Sequence, residues 1–216
     1  KNKKDALKRV RVGDPITLVE GFARVTQELA IARAMDNRIG AFVVMEAFKK
    51  TAQALANKRK LEVAVFAVAS VQEEIGLRGA QTAAYAIDPR VGIAVDVGFA
   101  TDYPTENKKL IGDFKLGKGP LLHRGPNINN PLAEFMEKLC ERKKIPYQLI
   151  GDGGITGTDA GVIQVSRAGV ATALVGIPNR YMHSPVEMVS LSDVEHAAEL
   201  LAETVLALKQ DQSFVP

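Results

Sequence analysis

Cysteine is almost missing from this 216-residue sequence, Cys140 being the only one. No disulfide can form within the chain, and a reducing, cytoplasmic setting is expected. Cys140 falls in an amphipathic run at 132–142, where a small buried thiol is expected rather than a nucleophile. Long apolar runs are missing as well. The longest stretches fall far below the ~20 residues a spanning helix needs, so no membrane segment is expected. A marked excess of one sign of charge is missing too: 28 basic residues against 25 acidic leave a formal net charge of +3. The basic residues cluster only at the start (Lys1, Lys3, Lys4, Lys8, Arg9, Arg11) and at 142–144, and read as solvated faces, which speaks against a nucleic-acid partner. There is no internal repeat and no low-complexity tract. The sequence opens without an initiator Met, in a charged segment leading into a strand-like run, from which further residues upstream are expected.

What is present has the balance of an ordinary globular protein, with 46% hydrophobic and 25% charged residues, enough to bury a substantial core. Residues 1–30 alternate loosely between apolar and polar positions around a Gly13-Asp14-Pro15 turn, and predict short strands at 10–12, 16–19 and 23–26. From Asp36 the period changes. Ile39, Phe42, Val43, Met45, Phe48 and Ala52 recur mostly at three- and four-residue steps and predict one face of a helix over 36–58. The run LEVAVFAVAS at 61–70 has the composition of a strand buried on both faces. The alternation repeats with a helix at 78–87, a strand at 91–97, a helix at 131–142, a strand at 147–150, a helix at 158–168 and a buried strand at 170–177. Ser192 and Glu195 have capping-box spacing and predict the start of a terminal helix reaching about residue 209. The pattern predicts α/β architecture with a mixed, largely parallel sheet flanked by helices. The first thirty residues read as the tail of a separate β-rich unit, and 31–216 as the main domain.

In open α/β sheets, ligands sit beyond the carboxyl ends of the strands. Glu73 and Glu74 follow the run 61–70, Asp96 lies near the end of 91–97, His183 follows 170–177, and Asp36 lies at the head of the long helix. Three carboxylates and an imidazole meeting there would be costly without a cation, because like charges raise one another's pKa. Each residue also has an ordinary reading. Asp36 can cap its helix, paired glutamates in a loop are usually solvated, and His183 can be a surface residue. Asp96 is the sharper signal, since an acid inside an apolar run is expensive unless paired or bound to metal.

At these residues the sequence resembles the M42 family of metallo-aminopeptidases, which includes the tetrahedral aminopeptidases. The resemblance rests on Gln72-Glu73-Glu74-Ile75-Gly76-Leu77-Arg78-Gly79-Ala80, together with the segments at 34–40, 94–97, 125–129, 157–160 and 180–187 in the same order. It implies a zinc-peptidase-like fold and two divalent metal ions, Zn2+ or Co2+. Asp36 would bridge the ions, Glu74 and His183 would complete one ligand set, and Asp96 would bind the other ion. Glu73 would be the general base for a metal-activated water and return the proton to the leaving amine. Asp159 would shape the substrate pocket or support a ligand, with helix capping as its equal alternative. The implied substrates are peptides, cleaved from their N-termini. The implied assembly is a homo-oligomer, from a dimer up to a tetrahedral dodecamer. One feature departs from the family. Its His-x-Asp motif, which supplies a further ligand beside Asp96, does not occur here, and neither His123 nor His196 fits that role. The resemblance therefore implies that the sequence begins inside an inserted β-barrel domain. A non-catalytic fragment or oligomer component, or a glycan-cleaving hydrolase, remain the alternatives.

Overall fold

The computed structural model describes residues 2–19 and 21–215, so Lys1 of the basic cluster lies outside the described residues. The elements in chain order are α1 (Lys3–Ala6), β1 (Ala23–Arg24), β2 (Leu29–Ala32), α2 (Met35–Ala56), α3 (Arg78–Ile87), β3 (Val91–Phe99) and α4 (Lys108–Ile111). They continue with β4 (Leu121–Arg124), α5 (Asn130–Lys143), β5 (Gln148–Gly151), α6 (Ala160–Gln164), β6 (Ala171–Arg180), β7 (Glu187–Ser190) and α7 (Leu191–Ala207).

Local chemistry accounts for much of this. The Asn129 side chain caps α5 by accepting from the Leu132 amide, Pro131 sits in the first turn, and Leu132, Met136, Leu139 and Cys140 form its buried stripe. Cys140 is indeed a buried thiol, its pKa pushed up to about 12 by desolvation. In α2 the buried positions are Gly40, Val43, Ala47 and Thr51. Phe42, Met45, Phe48 and Ala52, expected on the inward face, are exposed, because the stripe that meets the sheet and α7 is rotated away from them.

The strands form one mixed sheet in the order β1-β2-β7-β6-β4-β5, with β3 on β6. The expectation of a largely parallel sheet needs correction. β3–β6 and β4–β5 are parallel, whereas β1–β2, β2–β7, β4–β6 and β6–β7 are antiparallel. β6 is the hub, buried from Thr172 to Asn179. The main core lies between this sheet and α2, α5 and α7, built around Val43, Leu132, Met136, Val175, Ile177 and Leu200.

Three further expectations give way. The run 61–70 is not a strand: Leu61, Val63 and Val65 are half-buried, but Phe66 is 64% exposed. A strand needs partners for its backbone N–H and C=O groups, and the run 61–70 pairs with no strand of the sheet. Between 62–70 and β3 lies a cavity of about 1100 Å³, walled by Val44 and Phe48 of α2 and by Ala80 and Ala84 of α3. Before β1, residues 10–12 and 16–19 form no strand, and Val12, Ile16 and Val19 are almost wholly exposed, having no apolar face to pack on. β2 spans residues 29–32 and pairs with β7. Finally, α7 starts at Leu191. Ser190 precedes it without a side-chain capping bond, and Ser192 exchanges a hydrogen bond with the Ser190 hydroxyl at 2.8 Å in place of a capping box.

Candidate metal centre

Three chain segments converge near the ends of β2, β6 and the run 61–70. The first leaves β2 through Ala34, which is left-handed (φ 51°), and reaches Asp36 and a cis Asp36–Asn37 peptide. Asn37 fixes this corner. Its Nδ2 donates to the Val95 carbonyl at 2.7 Å, and its Oδ1 accepts from the Gly40 amide at 2.9 Å. Asp36 is not the helix cap: Asp36 and Asn37 are both non-helical, and it is the Asn37 side chain that accepts from the amide three residues on, as a cap does.

The second segment carries Glu73 and Glu74. Here the Glu73 carbonyl accepts from the amides of Gly76 and Leu77, and the Gly79 amide donates to the Val71 carbonyl at 2.9 Å. A Cβ at Gly79 would stand 2.4 Å from the Val71 nitrogen, so only glycine lets α3 start this close to the loop.

The third is the loop after β6. Tyr181 and His183 both have φ of 61°, a conformation that costs a non-glycine residue roughly 1–2 kcal/mol. The loop is tied down on both sides. The Arg180 guanidinium donates twice to the Asp102 carboxylate, at 2.6 and 2.7 Å, and the Tyr181 ring lies 4.9 Å from that of Tyr103. Glu187, 2% exposed, accepts from the His183 amide at 2.9 Å through Oε1 and from the Asp36 amide at 3.0 Å through Oε2.

The result brings Asp36, Glu74 and His183 together, with one donor atom of each within 4.8 Å of the others. His183 Nε2 lies 3.0 Å from Asp36 Oδ2 and 4.0 Å from Glu74 Oε2. Asp36 forms the floor at 11% side-chain exposure, while Glu74 and His183 form an open rim at 62% each. Burial, then the charge of Glu74, pushes the Asp36 carboxyl up to about 6, opposed by His183. Glu73 is also raised, by burial first and then by the charges of Asp159 and Glu74. Two carboxylates and an imidazole from three segments, crowded until one carboxyl resists ionisation, match the donor set of a divalent cation such as zinc.

Asp96 stands outside this group. Its Oδ1 accepts from the Val97 amide at 2.9 Å, and burial pushes its carboxyl up to about 7, with the charges of Asp36, Glu73 and Asp159 adding to the effect. Asp159 holds Ser70 by accepting from its hydroxyl at 2.6 Å and makes no capping bond to α6. Thr158 accepts from the Ala160 amide instead. His123 is buried and paired with Asp152 at 2.7 Å, away from the cluster. Asn37 and Glu187 were not singled out from sequence. Each acts through the main chain of distant residues, and no local pattern signals that.

A family model described as M42 glutamyl aminopeptidase matches residues 1–200. A lysyl aminopeptidase of Pyrococcus furiosus is 40% identical over 206 residues, covering 95% of this chain and 56% of the relative. The structure of a TET aminopeptidase from a marine sediment archaeon of the Thaumarchaeota matches with a TM-score of 0.85 at 39% identity, over 94% of this chain and 56% of the other. The TET1 peptidase of Pyrococcus horikoshii, which can assemble into a tetrahedron or a large octahedral shell, matches with a TM-score of 0.77 at 28% identity, over 96% of this chain and 59% of that one. The chain thus spans a little over half the length of these relatives.

Proposed function

The chain belongs to the M42 glutamyl aminopeptidase family, and from that premise we propose that the protein is a metal-dependent aminopeptidase acting on peptide N-termini. The observation that carries this reading is the convergence of Asp36, Glu74 and His183 on one point with Glu73 beside it. Asp36, Glu74 and His183 would hold a divalent ion, Zn2+ or Co2+. Such an ion lowers the pKa of water and polarises a carbonyl when bound. Glu73 takes the proton of the attacking water and delivers it to the departing amine, a role suited by a carboxyl whose affinity for protons is raised. Asp36, deepest of the three donors, orients the site, and Asp159, which holds Ser70 and raises Glu73 electrostatically, supports the base.

Asp96 is the proposed ligand of a second ion. The charges of Asp36, Glu73 and Asp159 that act on its carboxyl support a place for it beside the three-donor group. The empty space between 62–70 and β3, apolar along both helical walls, supports a catalytic domain that takes a further strand there. The exposed Val12, Ile16 and Val19 support reading the first thirty residues as part of a second, β-rich unit. Assembly into a homo-oligomer of the TET kind is proposed from the relatives. None of the helices in the described residues is long and apolar enough to cross a membrane, and the single cysteine fits a cytoplasmic enzyme.

Glu73→Gln tests the mechanism. The variant is expected to retain metal and to lose nearly all hydrolysis of leucine or glutamate anilides. Wild-type rates in Glu73→Gln would remove Glu73 from the chemistry. A chelator is expected to silence the wild-type protein, whereas a simple glycosidase would keep working.

A further inference from the structure

Glu187 lies at the point where two donor-bearing segments part. β7 runs between β2 and β6 in the sheet, and Glu187 is the register partner of Ala32, near the end of β2. From that place its carboxylate reaches in two directions. One oxygen accepts from the amide of Asp36, four residues past Ala32, and the other from the amide of His183, in the loop that leaves β6. The residue is 2% exposed, and its hydrogen bonds among the described residues are these two. It is not among the three donors themselves.

Resting on the metal reading above, we infer that Glu187 is the positioning residue that sets the distance between the Asp36 and His183 donors. A carboxylate is the one side chain of this length that accepts at both ends. Glutamine would turn an NH2 group toward one of the two amides, and aspartate is too short to reach both. Releasing either bond frees His183 from its left-handed backbone or lets the start of α2 drift from the loop. Metal affinity then falls while the sheet stays intact, because β7 keeps its pairing to β2 and β6.

Asp193 supplies a matched control. It too is a fully buried carboxylate, accepting from two backbone amides, Gly117 at 2.7 Å and Gly119 at 2.7 Å, and it has no part in the donor cluster. The experiment titrates wild-type, Glu187→Gln, Glu187→Asp and Asp193→Asn proteins with Co2+ and follows the visible absorption of the bound ion. Wild type is expected to bind Co2+. Both Glu187 variants are expected to bind about 10–100-fold more weakly, the cost typical of groups that orient metal ligands, with an altered Co2+ spectrum. Asp193→Asn is expected to keep wild-type affinity and spectrum even where it unfolds at a lower temperature. Wild-type Co2+ affinity in either folded Glu187 variant, or an equal loss in Asp193→Asn, overturns the assignment. A wild-type protein that fails to bind Co2+ overturns the metal reading itself, and the role of Glu187 with it.

Discussion

Two apolar runs in this chain read alike as buried strands and have opposite fates. VATALVGI, at 170–177, supplies most of β6, the hub of the sheet, buried but for Ala171 and paired on both edges. LEVAVFAVAS, at 61–70, forms no strand and leaves Phe66 64% and Val68 40% exposed beside a cavity of about 1100 Å³. Side-chain preference alone does not make a strand. The backbone must find a ladder, and the side chains need a surface on each face. β3 occupies the middle ground, paired to β6 along its full length and lining the cavity with Val91, Ile93 and Val95.

The most forceful way to break this comparison is to place the same charge in both runs. Val175 is 0% exposed at the centre of β6, so Val175→Asp buries an unpaired carboxylate and should cost more than about 4 kcal/mol, enough to unfold the protein. Phe66→Asp should change stability by no more than about 0.5 kcal/mol, as surface substitutions do. Denaturant unfolding followed by circular dichroism decides. If both variants unfold, the run 61–70 is packed in solution and the contrast disappears.

A second prediction concerns Asp96, carried by the strand that borders both regions. Its carboxyl is raised by burial to about 7, and that of Asp36 to about 6. In the unfolded chain both titrate near 3.8. Below that pH both states are protonated and there is no penalty. Between about pH 4 and 7 the unfolded chain gives up protons that the folded one retains, so stability falls as pH rises. At about 1.4 kcal/mol per pKa unit, the Asp96 effect amounts to a few kcal/mol. With a chelator present, the midpoint of thermal unfolding should be lower at pH 7.5 than at pH 5, and Asp96→Asn should remove most of the difference. An unchanged slope in that variant would mean that Asp96 has a cation or hydrogen-bond donor as partner in solution.

Much of the architecture was open to sequence reasoning wherever a helix or strand makes its own case. The periodicity at 78–87 is α3, the run at 91–97 lies within β3, and that at 170–177 overlaps β6 from Ala171 on. Helix boundaries at α5 follow from Asn129, Pro131 and the buried stripe. Elements defined by their neighbours were not open to it. β7 is four residues long and exists through its pairing with β2 and β6, and the antiparallel turn of the sheet at β4 and β7 leaves no mark in composition. The candidate site divides the same way. Asp36, Glu74 and His183 could be found from strand ends and motif order, and the structure brings them together. Asp96, which the family resemblance assigns to a second ion, lies outside the three-donor group but within reach of the charges of Asp36, Glu73 and Asp159. Glu187 was invisible, since its bond to Asp36 spans 151 positions of the chain.

The smallest expected effect repeats the contrast at two adjacent residues. Ser192 carries a pattern without a partner: capping-box spacing predicts a loss of about 1 kcal/mol on removal of the hydroxyl. In the structure α7 has already begun at Leu191, and the Ser192 hydroxyl meets only that of Ser190. Ser192→Ala should therefore cost no more than about 0.5 kcal/mol. Asp193 has partners and no pattern that announces them. Its carboxylate gathers the amides of Gly117 and Gly119 in a turn more than seventy residues away, with no exposure to water. Asp193→Asn turns one acceptor into a donor facing an amide and should cost about 1–3 kcal/mol. Urea denaturation of the two variants side by side measures the difference. Should Ser192→Ala prove the more damaging, the helix starts two residues later in solution, and the local pattern outweighs the distant contact.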